Sequence, residues 1–423
     1  MTEPGGTPVP LRTVLREWGR IGCIGFGGPP AHIRLLRQLC VERNGWLDAR
    51  EFEDAIAVCN LMPGPASTQL AIFCAWRLRG RPGALIGGVA FIVPGLIVIL
   101  ALSVLFVAGS PPLWVLGAGA GAGAAVPAVA VGAGWSLLGP SWRNKHGTVR
   151  WLAYLAVGLA VAATAGEWLV VALLGCGAIE AAIRPGPIRP GAIRAGESVE
   201  VPGGDGNRDG NGDGNGDGNG GAAGRLRSIV AAPMLLLAAG GVVTGGVLAS
   251  VAWEAFKVGG LSFGGGFVII PLMQAGAVSH YHWMTGAQFL NAVALGQVTP
   301  GPVVQTVSAV GYAAAGIGGG LLAAVVAFAP SFAIVLLGGP HFARIRGNAP
   351  ARAFLDGAGP AAIGAIGGSA ITLTRALTHS WQYAVLAGAL LLLIPLRRGV
   401  VLPLLSAAAV GVTIALSAGT VSP

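Results

Sequence analysis

Charge is scarce in this chain. Lys, Arg, Asp and Glu make up 10% of its 423 residues, where a soluble protein of that size carries about 25%. The apolar runs at 84–107, 113–138, 229–251, 319–338 and 400–418 each approach or exceed the roughly 20 residues that cross hydrocarbon. Together these features exclude a soluble bundle. Paired cysteines are missing too. Cys23, Cys40, Cys59, Cys74 and Cys176 show no CxxC spacing, which excludes a zinc site or a disulfide framework. There is no GxSxG, HExxH or Walker A sequence, and the Gly-Ala run at 117–124 lacks the βαβ context of a dinucleotide fingerprint. The chain is therefore not read as an enzyme, and no cofactor or metal is implied. That run suits close helix packing in a membrane instead. The net charge of +9 comes from arginines set between apolar runs, not from a basic face carrying aromatics, so nucleic acid is not a partner. No uninterrupted apolar core precedes Gly22, so no cleavable signal peptide is expected.

What the chain does have is repetition. Phe26-Gly27-Gly28, Trp46, Phe52 and Pro63-Gly64-Pro65 recur 237 residues later as Phe263-Gly264-Gly265, Trp283, Phe289 and Pro300-Gly301-Pro302. Glu17 and Arg20 match Glu254 and Lys257 at the same spacing, and Asn60 matches Gln297. Between the copies, the Gly-, Asn- and Asp-rich core at 203–221 offers no apolar side chain to bury, and the stretch 184–228 is read as a flexible cytoplasmic linker. Residues 1–183 then form a first transporter repeat. Residues 229–423 hold an extra crossing helix and a second repeat.

The basic residues orient the halves. Arg34, Arg37, Arg43, Arg50, Arg77, Arg79 and Arg81 follow the breaks of the first half, while the matching segments 267–287 and 313–318 carry no Lys or Arg. One helix further on the bias reverses: 108–112 is uncharged and its counterpart bears Arg344, Arg346 and Arg352. By the positive-inside rule the two halves face opposite ways. The expected fold is an all-α polytopic membrane protein of two inverted-topology repeats. The segments 51–62 and 66–76 are about a dozen residues each, roughly 17 Å as helix, against about 30 Å of hydrocarbon. They read as a short re-entrant helical hairpin with Pro63–Pro65 at its tip. Segments 11–26 and 31–43 read as another, the second half repeats both, and full-length transmembrane helices follow each set.

A helix interrupted in lipid needs partners for its freed backbone groups, and a helix start offers N–H groups and a positive dipole end to an anion. The candidate substrate-binding residues are Gly27, Gly28, Asn60, Pro63, Gly64, Pro65, Ser67 and Thr68, with Gly264, Gly265, Gln297, Thr299, Pro300, Gly301, Pro302 and Gln305. They suggest a neutral hydrogen-bonding cage for a small anion. Arg20 and Lys257 are candidates to compensate its charge, or simply pair with Glu17 and Glu254, which are themselves candidates to carry a coupling proton. His32 has Ile269 opposite it in the second half and is read as a helix-surface residue. Asp356 is read as a helix cap.

With their second copies, Phe26-Gly27-Gly28, Trp46-Leu47, Glu51-Phe52 and Asn60-Leu61-Met62-Pro63-Gly64-Pro65 resemble the chromate ion transporter family in its long, two-domain form. The resemblance implies inverted halves in the inner membrane and export of chromate from the cytoplasm, conferring resistance. The partners implied are the oxyanion and the lipid bilayer; a homodimer is left open. A potential negative inside favours the exit of each negative charge by about 2.3 kcal/mol per 100 mV, so a dianion needs no ATP site. Sulfate has the same shape and charge. A transporter of sulfate or a related oxyanion, an anion channel, and a membrane scaffold without transport are the alternatives.

Overall fold

The computed structural model describes residues 9–107, 111–143, 145, 147–184, 246–262, 269–339 and 349–418. Fourteen α-helices and no strand occur among them, and the chain is an all-α polytopic membrane protein. The linker expected at 184–228 lies, apart from Arg184, outside the described residues. So do most of the crossing helix expected at 229–251 and the break at Phe263-Gly264-Gly265.

Helices α1 (Leu11–Ile24) and α2 (Pro29–Arg37) flank the first glycine break, and α2 runs on as a π-helical turn, Gln38–Arg43. Helix α3 (Ala49–Leu61) starts where the Asp48 carboxylate accepts from the N–H groups of Arg50 and Glu51, the usual device for satisfying a first turn. It stops at Met62, whose extended backbone leads into Pro63, because a proline disfavours helical angles in the residue before it.

Helix α4 (Ala66–Val107) is two helices joined by a reversal. Arg79 and Gly80 leave helical angles, with Gly80 at φ 60°, ψ −146°, a conformation only glycine adopts readily. A Cβ on Gly83 would fall on the carbonyl of Ala75, and one on Gly87 would meet the Ala75 methyl. The short leg from Ala66 and the long leg ending at Val107 therefore run side by side in opposite directions. A short leg, a tight turn and then a crossing helix is what the segment lengths predict.

The first half continues with α5 (Leu113–Arg143), α6 (Thr148–Thr164) and α7 (Leu169–Ile183). After the undescribed segment come α8 (Val247–Gly260), α9 (Ile269–Gln274) with its π-helical turn Ala275–His280, α10 (Gly286–Val298) and α11 (Thr306–Gly338). Helices α12 (Ala349–Arg375), α13 (Ser380–Leu393) and α14 (Val401–Ala418) complete the chain's described part.

The two halves pass through the same local events. The π-turns at Gln38–Arg43 and Ala275–His280 stand 237 residues apart, as do α3 and α10. So do the left-handed residues Gly45 (φ 57°) and His282 (φ 53°). Helix α11 breaks at Ala315 and Gly316 (φ 63°, ψ −155°) as α4 does at Arg79 and Gly80. That break comes one residue short of the common spacing. One position has been lost after the second Pro-Gly-Pro, where a 3₁₀ turn, Val303–Gln305, opens the helix. Gln305 is therefore the counterpart of Gln69.

Helix α1 packs on α4, α8 packs on α11, and α4 and α11 pack on each other. Outside them, α6 and α7 of the first half pack on α12 of the second, while α13 and α14 pack on α5. These contacts are backbone-close. A Cβ on Gly121 would fall on the Ala407 carbonyl, and one on Gly158 on that of Ala361. The small-residue run of α5 is thus a packing face.

Candidate functional site

Three of the four breaks meet. At the first glycine break, α1 ends with Gly25 N–H on the Ile21 carbonyl at 2.8 Å. Gly27 (φ 96°) and Gly28 (φ 73°) then turn the chain into Pro29. The carbonyl of Gly25 is left over by the helix, and it accepts from the N–H of Gly301 at 3.0 Å. The Gly-Gly break of one half is thereby tied to the Pro-Gly-Pro break of the other.

His32 joins the remaining break to this point. It is fully buried, with Nε2 2.9 Å from the Gly25 oxygen and Nδ1 3.3 Å from Ser67 Oγ. A carbonyl only accepts, so Nε2 carries the hydrogen and the Ser67 hydroxyl donates to Nδ1. The ring also stands edge-on to Phe91 at 5.0 Å. The surface position expected for His32 is therefore corrected. The signal was available: its counterpart Ile269 is buried as well, so the position belongs to the core in both halves.

The two Pro-Gly-Pro breaks close differently. In the first, Gly64 holds φ 119° and Gln69 Nε2 folds back to donate to the Pro63 carbonyl at 2.6 Å. In the second, Gly301 holds φ 97°, but Gln305 Nε2 reaches away to the Ile92 carbonyl of α4 at 2.7 Å. Each break also meets the long helix of the other half. A Cβ on Gly64 would lie 3.1 Å from Ser331 Oγ, and one on Gly95 would fall on the Pro300 carbonyl.

Around these breaks lies an unusual group of orphans. Thr68 Oγ1, Ser262 Oγ, Gln297 Nε2, Ser308 Oγ and Ser331 Oγ are buried without a protein partner, and so are Gln69 Oε1 and Gln305 Oε1. Buried polar groups are almost always paired, and an unpaired one costs about 1–3 kcal/mol. The hydroxyls and the amide nitrogen are donors, and no cation stands among these seven residues. A small oxyanion, or water, is what such a set can hold.

The other predicted residues fall in different places. Pro65, Thr299, Pro300 and Pro302 are buried at the breaks. Asn60 is exposed and lines a separate cavity, so it is not brought to the breaks, whereas its counterpart Gln297 is buried. Glu17 and Arg20 face a surface cleft with Gln38, Glu42 and Arg43. Lys257 Nζ lies 2.6 Å from Glu254 Oε2, a charge pair in distance without the alignment of a hydrogen bond. Glu254 is 1% exposed, and Gly276 leaves the room its carboxylate takes. Gly264 and Gly265 lie outside the described residues. Asp356 does not cap; it stands inside α12 and takes Arg184 at 3.1 Å.

The family model described as chromate transporter matches residues 12–181 and 249–412. The chain is 31% identical over 370 residues to a chromate transport protein of Cupriavidus metallidurans, covering 86% of this chain and 83% of that one. It is 27% identical over 374 residues to a probable chromate transport protein of Synechococcus elongatus, covering 87% and 86%. A chromate transport protein of Pseudomonas aeruginosa is 26% identical over 375 residues, covering 88% and 83%. No solved structure matches significantly.

Proposed function

The chain belongs to the chromate transporter family, and we propose that it is a secondary transporter that exports chromate from the cytoplasm. It is a multi-pass protein of the cell membrane, and its substrate is an oxyanion. In this reading the two halves have inverted topology, and the substrate sits where their breaks meet. The observation that carries it is the set of unpaired buried donors, Thr68, Gln297 and Ser331 among them, on the elements that make and flank the breaks, with helix starts at Ala66 and Val303. Helix starts present N–H groups and a partial positive charge. Hydroxyl and amide donors stabilise a dianion with little penalty for changing its position, which suits a site that must also release.

The driving force is the membrane potential. Each charge of a dianion leaving a negative interior gains about 2.3 kcal/mol per 100 mV. Glu254 is the candidate for any coupled proton, being buried beside one cation only 2.6 Å away.

Everted membrane vesicles containing the protein, energised to be positive inside, accumulate chromate above the level of empty vesicles. Uptake equal to that of empty vesicles overturns the proposal. Excess sulfate in the same assay separates the substrates: sulfate that competes with an inhibition constant matching the KM for chromate makes the site a general one for tetrahedral dianions.

A further inference from the structure

The two hairpins at the glycine breaks match position by position, yet their legs stand differently. In the first, a cleft of about 340 Å³ lies between α1 and the end of α2 with its π-turn, and its lining includes Glu17, Arg20, Ile24, Leu35 and Leu39. Exposed residues border it on both legs: Arg20 and Ile24 on one, Gln38, Glu42 and Arg43 on the other. Ile24 is the neighbour in the chain of Gly25, whose carbonyl takes the N–H of Gly301.

The same positions shifted by 237 residues form the second hairpin, α8 against α9 and its π-turn, and there the legs are closed. Ile24 is 48% exposed, while its counterpart Leu261 is 2% exposed. Leu35 and Glu17 are half-buried, and their counterparts Leu272 and Glu254 are buried. Two further contacts hold this hairpin. Thr372 of α12 donates to Gln274 Oε1 at 2.7 Å. His280, Tyr281 and Trp283 stack in turn, with ring centroids 4.5 and 4.4 Å apart, where the first half has Arg43, Asn44 and Trp46.

One position accounts for the difference between the legs. Leu39 in the first π-turn is Gly276 in the second. A Cβ on Gly276 would fall on the Glu254 carboxylate, so that glutamate is seated only because the residue facing it has no side chain. Leu39 carries four carbons at the matching place, and Glu17 stays at the cleft. A packed interior does not take in an extra side chain without moving. The backing is alike in both halves, since α1 packs on α4 as α8 packs on α11.

We propose that this leucine–glycine difference sets the resting state of the transporter: Gly276 lets the outer hairpin close on Glu254, and Leu39 holds the cytoplasmic hairpin open. The inference rests on the inverted, exporting reading above. An exporter at rest is then open on the side from which it collects its oxyanion. Apparent affinity falls in proportion to the fraction of time a binding-competent state is absent, so this choice of resting state favours capture from the cytoplasm. Turnover exchanges the two hairpins, as gating does in inverted repeats, and closing the cytoplasmic one against Leu39 is left to the bound substrate.

The test uses the full chain in a Cys23→Ser background, which removes the exposed thiol, with one new cysteine at matching positions, Gln38→Cys or Ala275→Cys. An impermeant maleimide is applied to everted and right-side-out vesicles without chromate. Gln38→Cys labels fast in everted vesicles, and Ala275→Cys labels slowly in right-side-out ones. Gly276→Leu speeds labelling at position 275 several-fold. Leu39→Gly slows labelling at position 38 several-fold and raises the KM for chromate on the cytoplasmic face. An unchanged rate at 275 in Gly276→Leu, at normal membrane abundance, overturns the proposal. Where that variant does not accumulate, Leu39→Gly decides, because it only makes room: an unchanged rate at 38 overturns the proposal equally. Labelling of both positions from one side of the membrane overturns the inverted topology and the proposal with it. Absent chromate uptake by the wild type overturns the export reading, while the labelling rates still test the resting state.

Discussion

The N–H of Gly301 donates to the carbonyl of Gly25 across 3.0 Å, joining the end of α1 to the Pro-Gly-Pro break of the opposite half. That carbonyl has no partner within its own helix, and the N–H belongs to a residue that is not helical. Two helix interruptions that would each be costly in lipid thus offset one another. His32 adds a second donor to the same oxygen and carries the link on to Ser67. A movement of one half relative to the other must break or remake this contact.

The first prediction concerns the two strained glycines. Gly64 and Gly301 hold φ 119° and 97°, where a side chain costs about 1–3 kcal/mol. A Cβ at 64 also overlaps the Gln69 amide, while one at 301 meets Gln305 only at 3.3 Å. Gly64→Ala therefore lowers thermal stability in detergent more than Gly301→Ala, and both reduce chromate uptake. Equal stabilities would remove the steric part of the account.

Removing the imidazole tests the junction. His32→Phe keeps the ring against Phe91 but leaves Ser67 unpaired and takes a donor from Gly25. The expected loss is about 1–3 kcal/mol, read as a lower melting temperature, with His32→Gln recovering part of it.

How much of this was legible in the sequence depended on how local each constraint was. Proline and glycine fix angles at their own positions, so the breaks at Pro63–Pro65 and Pro300–Pro302 were readable. Arginine placement and segment length made short legs and crossing helices readable as well. The burial of His32 depends on Phe91 and Ser67, distant in sequence, and only the apolar Ile269 at its matching position hinted at it. The pairing of Glu180 with Arg150 crosses between α6 and α7, yet Glu180 inside an apolar helix, with Arg184 four residues on at its end, was a visible sign of a charge needing company. The lost residue before Gln305 was hidden because Ala66-Ser67-Thr68-Gln69 and Val303-Val304-Gln305-Thr306 match nowhere in register and only at the glutamine once shifted, too little to fix where the shift falls.

Ser331 separates binding from stability. Its hydroxyl is buried with no protein partner, so Ser331→Ala removes an unpaired group and leaves the melting temperature unchanged or raised. A hydrogen bond to a charged ligand contributes about 1.5–3 kcal/mol, so the same variant raises KM for chromate by about tenfold or more. Ser103→Ala is the control: its hydroxyl donates to the Ile99 carbonyl, and it leaves KM unchanged.

The buried pair of Glu254 and Lys257 is tested by a double substitution. Removing one partner strands the other charge, at a cost of about 3–5 kcal/mol. Glu254→Gln or Lys257→Met alone lowers the melting temperature, and the two together restore most of it. Transport that stays lost in the restored double variant assigns the pair a part in moving charge; transport that returns makes it structural.

The central claim is that the oxyanion sits where the breaks of the two halves meet. Chromium scatters X-rays anomalously, so crystals grown with chromate locate it directly. The account predicts a chromium peak placed so that the chromate oxygens fall within hydrogen-bonding reach of Ser331 and Thr68, beside Gly64 and Gly301. Bound chromium found elsewhere, with none at the breaks, would contradict it.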